Sequence, residues 1–517
     1  MSTENFSEHI NLGYACKNEY ITLGGALLNG EAIPNTHINI PLKTINRHGL
    51  IAGATGTGKT KTIQIFSEQL ALAGIPVLMM DIKGDFSGIA MPGIENDFIK
   101  KRHADICLPY SSQGFPVEFL TLSEQKGVRL RATITEFGPI LFSRILDLND
   151  TQSGVVAVIF KYCDDNKIPL IDLKDFKKVL QYATEQGKAE FEAEYGRIST
   201  STTGAILRKI IELEHQGAAT FFGELSFDID DLMRVNNQGI GYINILRLTD
   251  IQDKPKLFST FMLSLLAEVY QKMPEQGDSG RPELVIFIDE AHLIFDQASK
   301  ALQDQIETII KLIRSKGIGI YFITQNPTDI PSGVLSQLGL KIQHALRAFT
   351  ANDRKAIKLT AENYPLTNYY NTAEDLTKLG TGEAFVTALN EKGIPTPLAA
   401  CLMRSPMSRM DVLTPNELES LINESKLVKK YEKAIDNESA FEILSAKIEE
   451  AEKQAESEAT KIEEEKKLAR EKKEEKSVSK TNNETSATQK AIIKTITSAT
   501  FIRGVFGILT KVLGGKK

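Results

Sequence analysis

The sequence of 517 residues has few cysteines, no excess of positive charge and no long apolar run. Its cysteines lie far apart without a CxxC pair, so neither a disulfide framework nor a zinc site is indicated. The formal net charge of −6 gives no overall cationic field, so only a local patch or the inside of an assembly would attract nucleic acid. No apolar run approaches the roughly 18 residues that span a bilayer, and no signal peptide is recognised. These absences favour a protein of the reducing cytoplasm.

What is present is the composition of a large globular protein. Apolar residues make up 42% and charged residues 25% of the chain, and its length corresponds to about three domains, or to one large core with insertions. Predicted strands and helices alternate over residues 48–82 and again over 241–389, a rhythm typical of a parallel α/β sheet. Between them, residues 139–224 show helical periodicity without strong strand signals. The sequence therefore predicts an α/β sheet interrupted by a helical insertion.

A glycine-rich loop lies between a predicted strand and a predicted helix. Residues 53–60 read GATGTGKT and fit GxxxxGK[ST] in the context that identifies a P-loop. Glycines let backbone N–H groups converge on phosphate, while Lys59 would bridge the β- and γ-phosphates and the Thr60 hydroxyl would ligate Mg²⁺. The predicted nucleotide-binding residues are Gly53, Ala54, Thr55, Gly56, Thr57, Gly58, Lys59, Thr60 and Lys61.

An apolar strand further along the chain ends in two carboxylates. The run Leu284–Ile288 is followed by Asp289 and Glu290. Asp289 would hold the Mg²⁺ shell, and Glu290 would polarise the water that attacks ATP. The next two residues complete DEAH, but no arginine-rich QxxGRxGR-like run follows, so a superfamily-two helicase is not indicated. His292 and His344 are interpreted as structural or coupling residues, because no second metal ligand lies at a workable spacing.

Three further residues are candidates for contacts with the γ-phosphate. Gln325 follows the apolar run of residues 318–324, where a polar side chain could sense hydrolysis. An arginine that reaches the site of a neighbouring subunit would complete the neutralisation of phosphate charge. Arg347, at the end of the predicted strand 341–347, is the first candidate, and Arg314 is the second. For each arginine, a surface salt bridge is the competing interpretation.

The segment DIKGD at residues 81–85 follows the second predicted strand. Its carboxylates are expected at the carboxyl edge of the sheet, where ligands of open α/β folds bind. One of Asp81 and Asp85 could therefore help to place water or Mg²⁺. An Asx-type turn without a part in catalysis is the alternative, and the sequence does not decide between them.

The C-terminal part of the chain changes in character. Roughly two thirds of residues 447–476 are charged, with both signs mixed, which is typical of a solvated single helix or a flexible linker. Residues 489–517 are apolar and cationic at helical spacing. They predict a basic amphipathic helix that could lie on a membrane surface or dock on a protein partner. Packing on the chain's own core or on a neighbouring subunit remains the alternative.

The chain resembles the FtsK/HerA superfamily of P-loop ATPases in the order of its motifs, which are GATGTGKT, DIKGD, RATITEFGP, LVIFIDEAH, ITQNP and KIQHALRAFTANDRKAIK. It looks most similar to the bacterial HerA-like nucleoside-triphosphate hydrolases, over about residues 13–440. The resemblance implies a RecA-like core in a homo-oligomeric, usually hexameric ring, with ATP bound between subunits and a pore that translocates double-stranded DNA. The stretch before the P-loop leaves little room for the N-terminal β-barrel that docks a nuclease in archaeal HerA.

We therefore expect an α/β fold with a RecA-like P-loop NTPase core, a parallel-rich sheet, a helical insertion and a helical, charged C-terminal extension. The predicted segments are a short β-rich N-terminal segment (1–45), the first part of the ATPase core with the P-loop (46–138), the helical insertion (139–224), the second part of the core with the carboxylate pair and the sensor (225–412), a helical segment (413–446), the charged linker or single helix (447–488) and the basic amphipathic helix (489–517).

The expected function is Mg²⁺-dependent ATP hydrolysis by a cytoplasmic ring ATPase that moves double-stranded DNA. ATP hydrolysis is predicted from the residues themselves, whereas the ring and the DNA are implied by the resemblance. Two alternatives stay open, a nucleotide-switched scaffold and a secretion-type ATPase that acts on protein partners. In both alternatives the amphipathic tail would place the protein at the periphery of the membrane.

Overall fold

The computed structural model describes residues 3–277, 280–295, 300–433, 435 and 437–478. By its internal contacts the chain divides into two units, residues 1–445 and 446–517. A twelve-stranded sheet forms the centre of the first unit. Its strands are β1 (Tyr20–Leu28), β2 (Glu31–Pro41), β3 (Gly49–Ala52), β4 (Val77–Asp81), β5 (Val117–Thr121), β6 (Val128–Arg129), β7 (Ile243–Arg247), β8 (Leu284–Ile288), β9 (Ile318–Thr324), β10 (Leu340–His344), β11 (Glu383–Thr387) and β12 (Ala399–Met403).

The strand order is β2-β1-β12-β11-β10-β3-β9-β8-β4-β7-β5-β6. The part from β10 to β6 is parallel, and the pairs from β2 to β10 are antiparallel. Every residue of β3, β4, β8 and β9 is buried, as expected for strands at the centre of a parallel sheet. The parallel-rich α/β architecture expected from the sequence is thus confirmed.

The helices connect these strands and extend beyond them. They are α1 (Thr3–Gly13), α2 (Lys59–Leu72), α3 (Asp97–Asp105), α4 (Ile134–Ile145), α5 (Asp150–Asn166), α6 (Leu173–Thr184), α7 (Lys188–Glu194), α8 (Thr200–His215), α9 (Ile229–Leu232), α10 (Pro255–Lys272), α11 (His292–Phe295), α12 (Lys300–Ile313), α13 (Ser332–Leu335), α14 (Ala351–Glu362), α15 (Thr372–Asp375), α16 (Pro415–Glu424), α17 (Lys426–Tyr431) and α18 (Ala440–Val478). The order β3, α2, β4 is the strand–helix–strand unit that the P-loop motif requires.

The helices between β6 and β7 bury a cluster of phenylalanine rings. The rings of Phe142 and Phe176 lie 4.8 Å apart, and Phe160 packs beside both. All three side chains are buried. Helix α4 is kinked at Gly138, where φ is 66°. These residues therefore form a packed helical layer, while the proposed limits of the insertion remain a prediction.

The N-terminal segment differs from the β-rich prediction. The expected hairpin is present as β1 and β2, and β1 also pairs with β12, so the hairpin is an edge of the main sheet. Before it, however, residues 3–13 form helix α1. Phe6 and Ile10 of this helix are buried, and the Phe6 ring lies 5.1 Å from that of Tyr369. These two apolar residues are four apart on one helical face, a signal that the polar residues around them obscure.

The charged C-terminal stretch is helical as far as it is described. Helix α18 continues to Val478. The predicted amphipathic helix at residues 489–517 lies outside the described residues. Among the helices that the structure does describe, none combines the length and the apolar character needed to cross a membrane.

Candidate nucleotide-binding site

The P-loop leaves the carboxyl end of β3 and is tied to both neighbouring strands. The Gly53 N–H donates to the carbonyl of Thr324 at the end of β9 (3.3 Å), and the Ala54 N–H donates to the carbonyl of Ala345 just beyond β10 (2.9 Å). Gly58 has φ 114°, and a Cβ there would lie 3.1 Å from the Gly382 nitrogen. Glycine is therefore required at the start of α2 by both conformation and space.

The first two residues of α2, Lys59 and Thr60, both make polar side-chain contacts near the P-loop. The Lys59 ammonium donates to the carbonyls of Gly53 (2.5 Å) and Ala54 (3.1 Å), within its own loop. Burial, and then the nearby Lys83 ammonium, lowers the pKa of Lys59. The Thr60 hydroxyl donates to Asp85 Oδ2 at 3.2 Å. A cation and a hydroxyl thus lie beside the N-terminal N–H groups of α2, where phosphate binds in P-loops.

The two aspartates of the DIKGD segment have different roles. The buried Asp81 carboxylate accepts the N–H groups of Gly84 (2.6 Å), Asp85 (3.1 Å) and Phe86 (3.3 Å), so it shapes the turn. Burial and the neighbouring Asp85 raise the pKa of Asp81 to about 6. Asp85 instead faces Thr60, and its Oδ1 is buried without a hydrogen-bond partner among the described residues. Asp85, not Asp81, is therefore the better candidate for placing water or Mg²⁺.

The carboxylate pair follows β8, two strands from the P-loop strand. Burial, and then the adjacent Glu290 carboxylate, raises the pKa of Asp289 to about 7. Glu290 has φ 46°, a left-handed conformation that is uncommon for a residue with a side chain and recurs at functional sites. Its Oε1 lies 2.5 Å from the Lys83 ammonium, and its Oε2 lies 3.4 Å from His292 Nδ1.

The residues in this cluster suit Mg²⁺, which prefers oxygen ligands and shares them with substrate phosphates. Thr60 offers a hydroxyl, Asp289 a buried carboxylate, and Asp85 a buried oxygen without a hydrogen-bond partner among the described residues. In the described part of the chain, no group of three His, Cys, Asp or Glu side chains is placed to hold a metal ion unaided. A cation here would complete its ligands with water or with the phosphates of a bound nucleotide.

The structure places the sensor and arginine candidates at different points around the sheet. Gln325 is exposed directly after β9, at the same edge as the P-loop. Arg347 is also exposed at this edge, but β10 ends at His344, so the arginine lies beyond the strand and not in it. Its Nη1 donates to the Thr377 carbonyl at 3.4 Å. Arg314 precedes β9 and thus lies at the opposite edge of the sheet from the P-loop.

His344 lies beneath the P-loop as a structural residue. Its Nε2 is 2.9 Å from the Thr62 hydroxyl of α2, and its Nδ1 is 2.9 Å from the Glu383 carbonyl. Burial lowers the pKa of His344 to about 4, so the ring is neutral at physiological pH. The ring therefore links β10, β11 and the P-loop helix without contributing charge.

Two contacts around α2 were not predicted from the sequence. The buried Glu68 carboxylate accepts the N–H groups of Met407 (2.8 Å) and Ser408 (3.0 Å), which fixes the segment after β12 against the P-loop helix. Lys61 donates to Met410 in the same segment. The side chain of Lys61 thus holds the segment after β12 against α2. Any contact of Lys61 with a nucleotide, as predicted, would be made by its backbone N–H. No local motif marks these contacts, because their partners are more than 330 residues apart.

The sequence matches one family model and resembles several proteins of known name. A family model described as helicase HerA-like C-terminal matches residues 27–516. The DNA double-strand break repair helicase HerA of Sulfolobus acidocaldarius is 23% identical over 370 residues, which cover 70% of this chain and 66% of that protein. The DNA import protein CedB of the same organism is 26% identical over 72% of this chain and 54% of its own length. The chain thus spans slightly less than two thirds of the first of these relatives.

Solved structures share the fold at low sequence identity. The plasmid coupling protein TrwB in complex with a non-hydrolysable ATP analogue superposes with a TM-score of 0.53 at 14% identity. The match covers 80% of this chain and 96% of the TrwB chain. The unbound form of TrwB, the bacterial conjugative coupling protein, gives a TM-score of 0.51 at 13% identity. At these identities the likeness establishes the fold alone.

Proposed function

The chain belongs to the helicase HerA-like C-terminal family, and from this premise we propose that it is a ring-forming, Mg²⁺-dependent ATPase that moves double-stranded DNA. The family expected from the motifs and the P-loop NTPase fold are confirmed. ATP as the substrate, the ring and the DNA are our proposals for this chain. They draw support from its own residues and from relatives named as a DNA repair helicase and a DNA import protein.

One observation carries the proposal of hydrolysis. The P-loop, the Thr60–Asp85 contact and the Asp289–Glu290 pair are all at the carboxyl edge of a continuous parallel set, β3, β9, β8 and β4. A phosphate-binding loop alone would only bind a nucleotide. Hydrolysis also requires a group that accepts a proton from water, and the buried Glu290 carboxylate can do this.

We assign a separate task to each side chain of this edge. Lys59 and the N–H groups of the loop bind phosphate, for which the lysine must exchange its carbonyl partners in Gly53 and Ala54 for phosphate oxygens. Thr60 and Asp289 would hold Mg²⁺, which supplies neutralisation of phosphate charge when bound. Glu290 orients the water and accepts its proton. Gln325 is the proposed sensor at the end of β9.

The experiment that tests this proposal is steady-state ATP hydrolysis by the purified chain with and without double-stranded DNA, at low and moderate salt. We expect DNA to increase the rate several-fold and the increase to fade as salt rises, because the contacts are to phosphates. Hydrolysis that ignores DNA at every salt concentration would contradict the DNA proposal. That result would keep the proposal of ATP hydrolysis and would favour a protein partner over DNA.

A second experiment tests whether ATP is bound between subunits. Arg347 is exposed at the P-loop edge, where it is available to a neighbouring subunit. Mixing inactive Arg347→Ala subunits with inactive Lys59→Ala subunits should restore part of the activity, with the largest recovery near equal amounts. In the mixture, some sites combine an intact P-loop with an intact arginine. No recovery at any ratio would contradict a site shared between subunits. If activity recovers only when Arg314→Ala subunits, in place of Arg347→Ala subunits, are mixed with Lys59→Ala subunits, Arg314 is the arginine that completes the neighbouring site.

A further inference from the structure

The side chain of Lys83 reaches the proposed catalytic base. Its ammonium lies 2.5 Å from Glu290 Oε1. The Glu290 side chain is 9% exposed and that of Lys83 is 42% exposed, so a nearly buried carboxylate is paired with a cation that retains access to solvent. Lys83 is the central residue of DIKGD, and the motif itself indicates no role for it. The contact arises because β4 and β8 are parallel neighbours, with Met80 opposite Ile288 one residue before the carboxylate pair.

The turn that carries Lys83 is held at both ends, by Asp81 at its start and by Asp85 at its end. Asp81 accepts three backbone N–H groups from the turn, and Gly84 adopts φ 77°, which lets the chain reverse directly after Lys83. At the end of the turn, Asp85 accepts the Thr60 hydroxyl. One short turn thus touches the proposed base through Lys83 and the P-loop helix through Asp85.

We propose that Lys83 is a positioning residue that restrains Glu290 and thereby limits basal ATP hydrolysis. The proposal rests on the ATPase function proposed above. A carboxylate oxygen that already accepts a charged hydrogen bond at 2.5 Å is held in place and is less accessible to the attacking water. Glu290 therefore works at full rate only when Lys83 has moved away. Because Lys83 is half-exposed, this movement needs no rearrangement of the core.

The same turn connects this restraint to nucleotide binding. The Thr60 hydroxyl donates its hydrogen to Asp85, while the lone pairs of its oxygen stay available to a cation, so both contacts can exist at once. A nucleotide at the P-loop would thus lie one hydrogen bond away from the turn that carries Lys83.

The test compares Lys83→Met, Lys83→Arg and the wild type in the full chain without DNA. Lys83→Met keeps the length of the side chain and removes its charge. We expect its kcat to rise about 3- to 10-fold, as for loss of one partly exposed ion pair. KM and the affinity for a fluorescent ATP analogue should stay unchanged, and Lys83→Arg should restore the restraint. Lys126→Met, which removes the exposed partner of Glu419, is the matched control and should leave kcat unchanged.

A kcat for Lys83→Met at or below that of the wild type, with unchanged analogue affinity, would overturn the restraint. Lys83→Gln repeats the test with a second neutral side chain, and circular dichroism verifies that each variant is folded. Failure of the underlying proposal is distinguishable, because then the wild type would not hydrolyse ATP, or Glu290→Gln would do so at the wild-type rate. A wild type that depends on Glu290 but ignores the charge at position 83 would remove only the role of Lys83.

Discussion

Replacement of Glu290 by glutamine should lower kcat for ATP hydrolysis by about 100-fold or more, the contribution typical of a positioned general base. The amide keeps the size of the carboxylate but cannot accept the proton of the attacking water. Binding of ATP should persist, because the P-loop contacts of Lys59 and Thr60 do not pass through Glu290. Steady-state hydrolysis and the affinity for a fluorescent ATP analogue measure the two effects separately.

Glu419→Gln is the matched control for this change. Glu419 is also a carboxylate paired with a lysine, Lys126, but both side chains are about half-exposed or more. Its substitution should leave both kcat and affinity at wild-type values, since exposed pairs contribute little. Full turnover by Glu290→Gln would withdraw the assignment of this residue as the base. Loss of analogue binding would instead point to damage of the whole site.

The parts of the site that could be predicted are those with a local signal. The P-loop has a fixed spacing, and the continuous apolar runs of β8 and β9 identify central strands whose carboxyl ends lie at one edge of the sheet. The bounds of both strands agree with the apolar runs in the sequence. From these facts alone, Lys59, Thr60, Asp289 and Glu290 are expected close together, as the structure has them. Their chemical roles remain predictions.

The parts that could not be predicted depend on register and on distant pairing. Lys83 meets Glu290 only because β4 lies beside β8, an order that strand sequences do not reveal. Asp81 and Asp85 are equivalent in the sequence, and only the turn geometry separates the one that shapes the backbone from the one that faces Thr60. For Arg347, the apolar pattern extends past His344, although β10 ends there.

Replacement of Lys59 by alanine should abolish the binding that Glu290→Gln preserves. The Lys59 ammonium is almost buried and its partners are two carbonyls of its own loop, so it is held beside the phosphate position before any nucleotide arrives. Its removal takes away the charged donor for phosphate and leaves these carbonyls with one partner fewer. We expect the dissociation constant for the ATP analogue to rise by about 100-fold or more, which corresponds to charged hydrogen bonds of about 3 kcal/mol.

Lys126→Ala removes a cation of the same type from the exposed pair with Glu419 and should leave the affinity unchanged. An affinity for Lys59→Ala within about threefold of the wild type would contradict the P-loop assignment, because that is less than one charged hydrogen bond contributes. The two variants together separate the steps at this edge of the sheet. If Lys59→Ala loses the ATP analogue and Glu290→Gln still binds it, the ends of strands β3 and β8 have different functions. The loop after β3 then binds phosphate, and the carboxylate after β8 activates water.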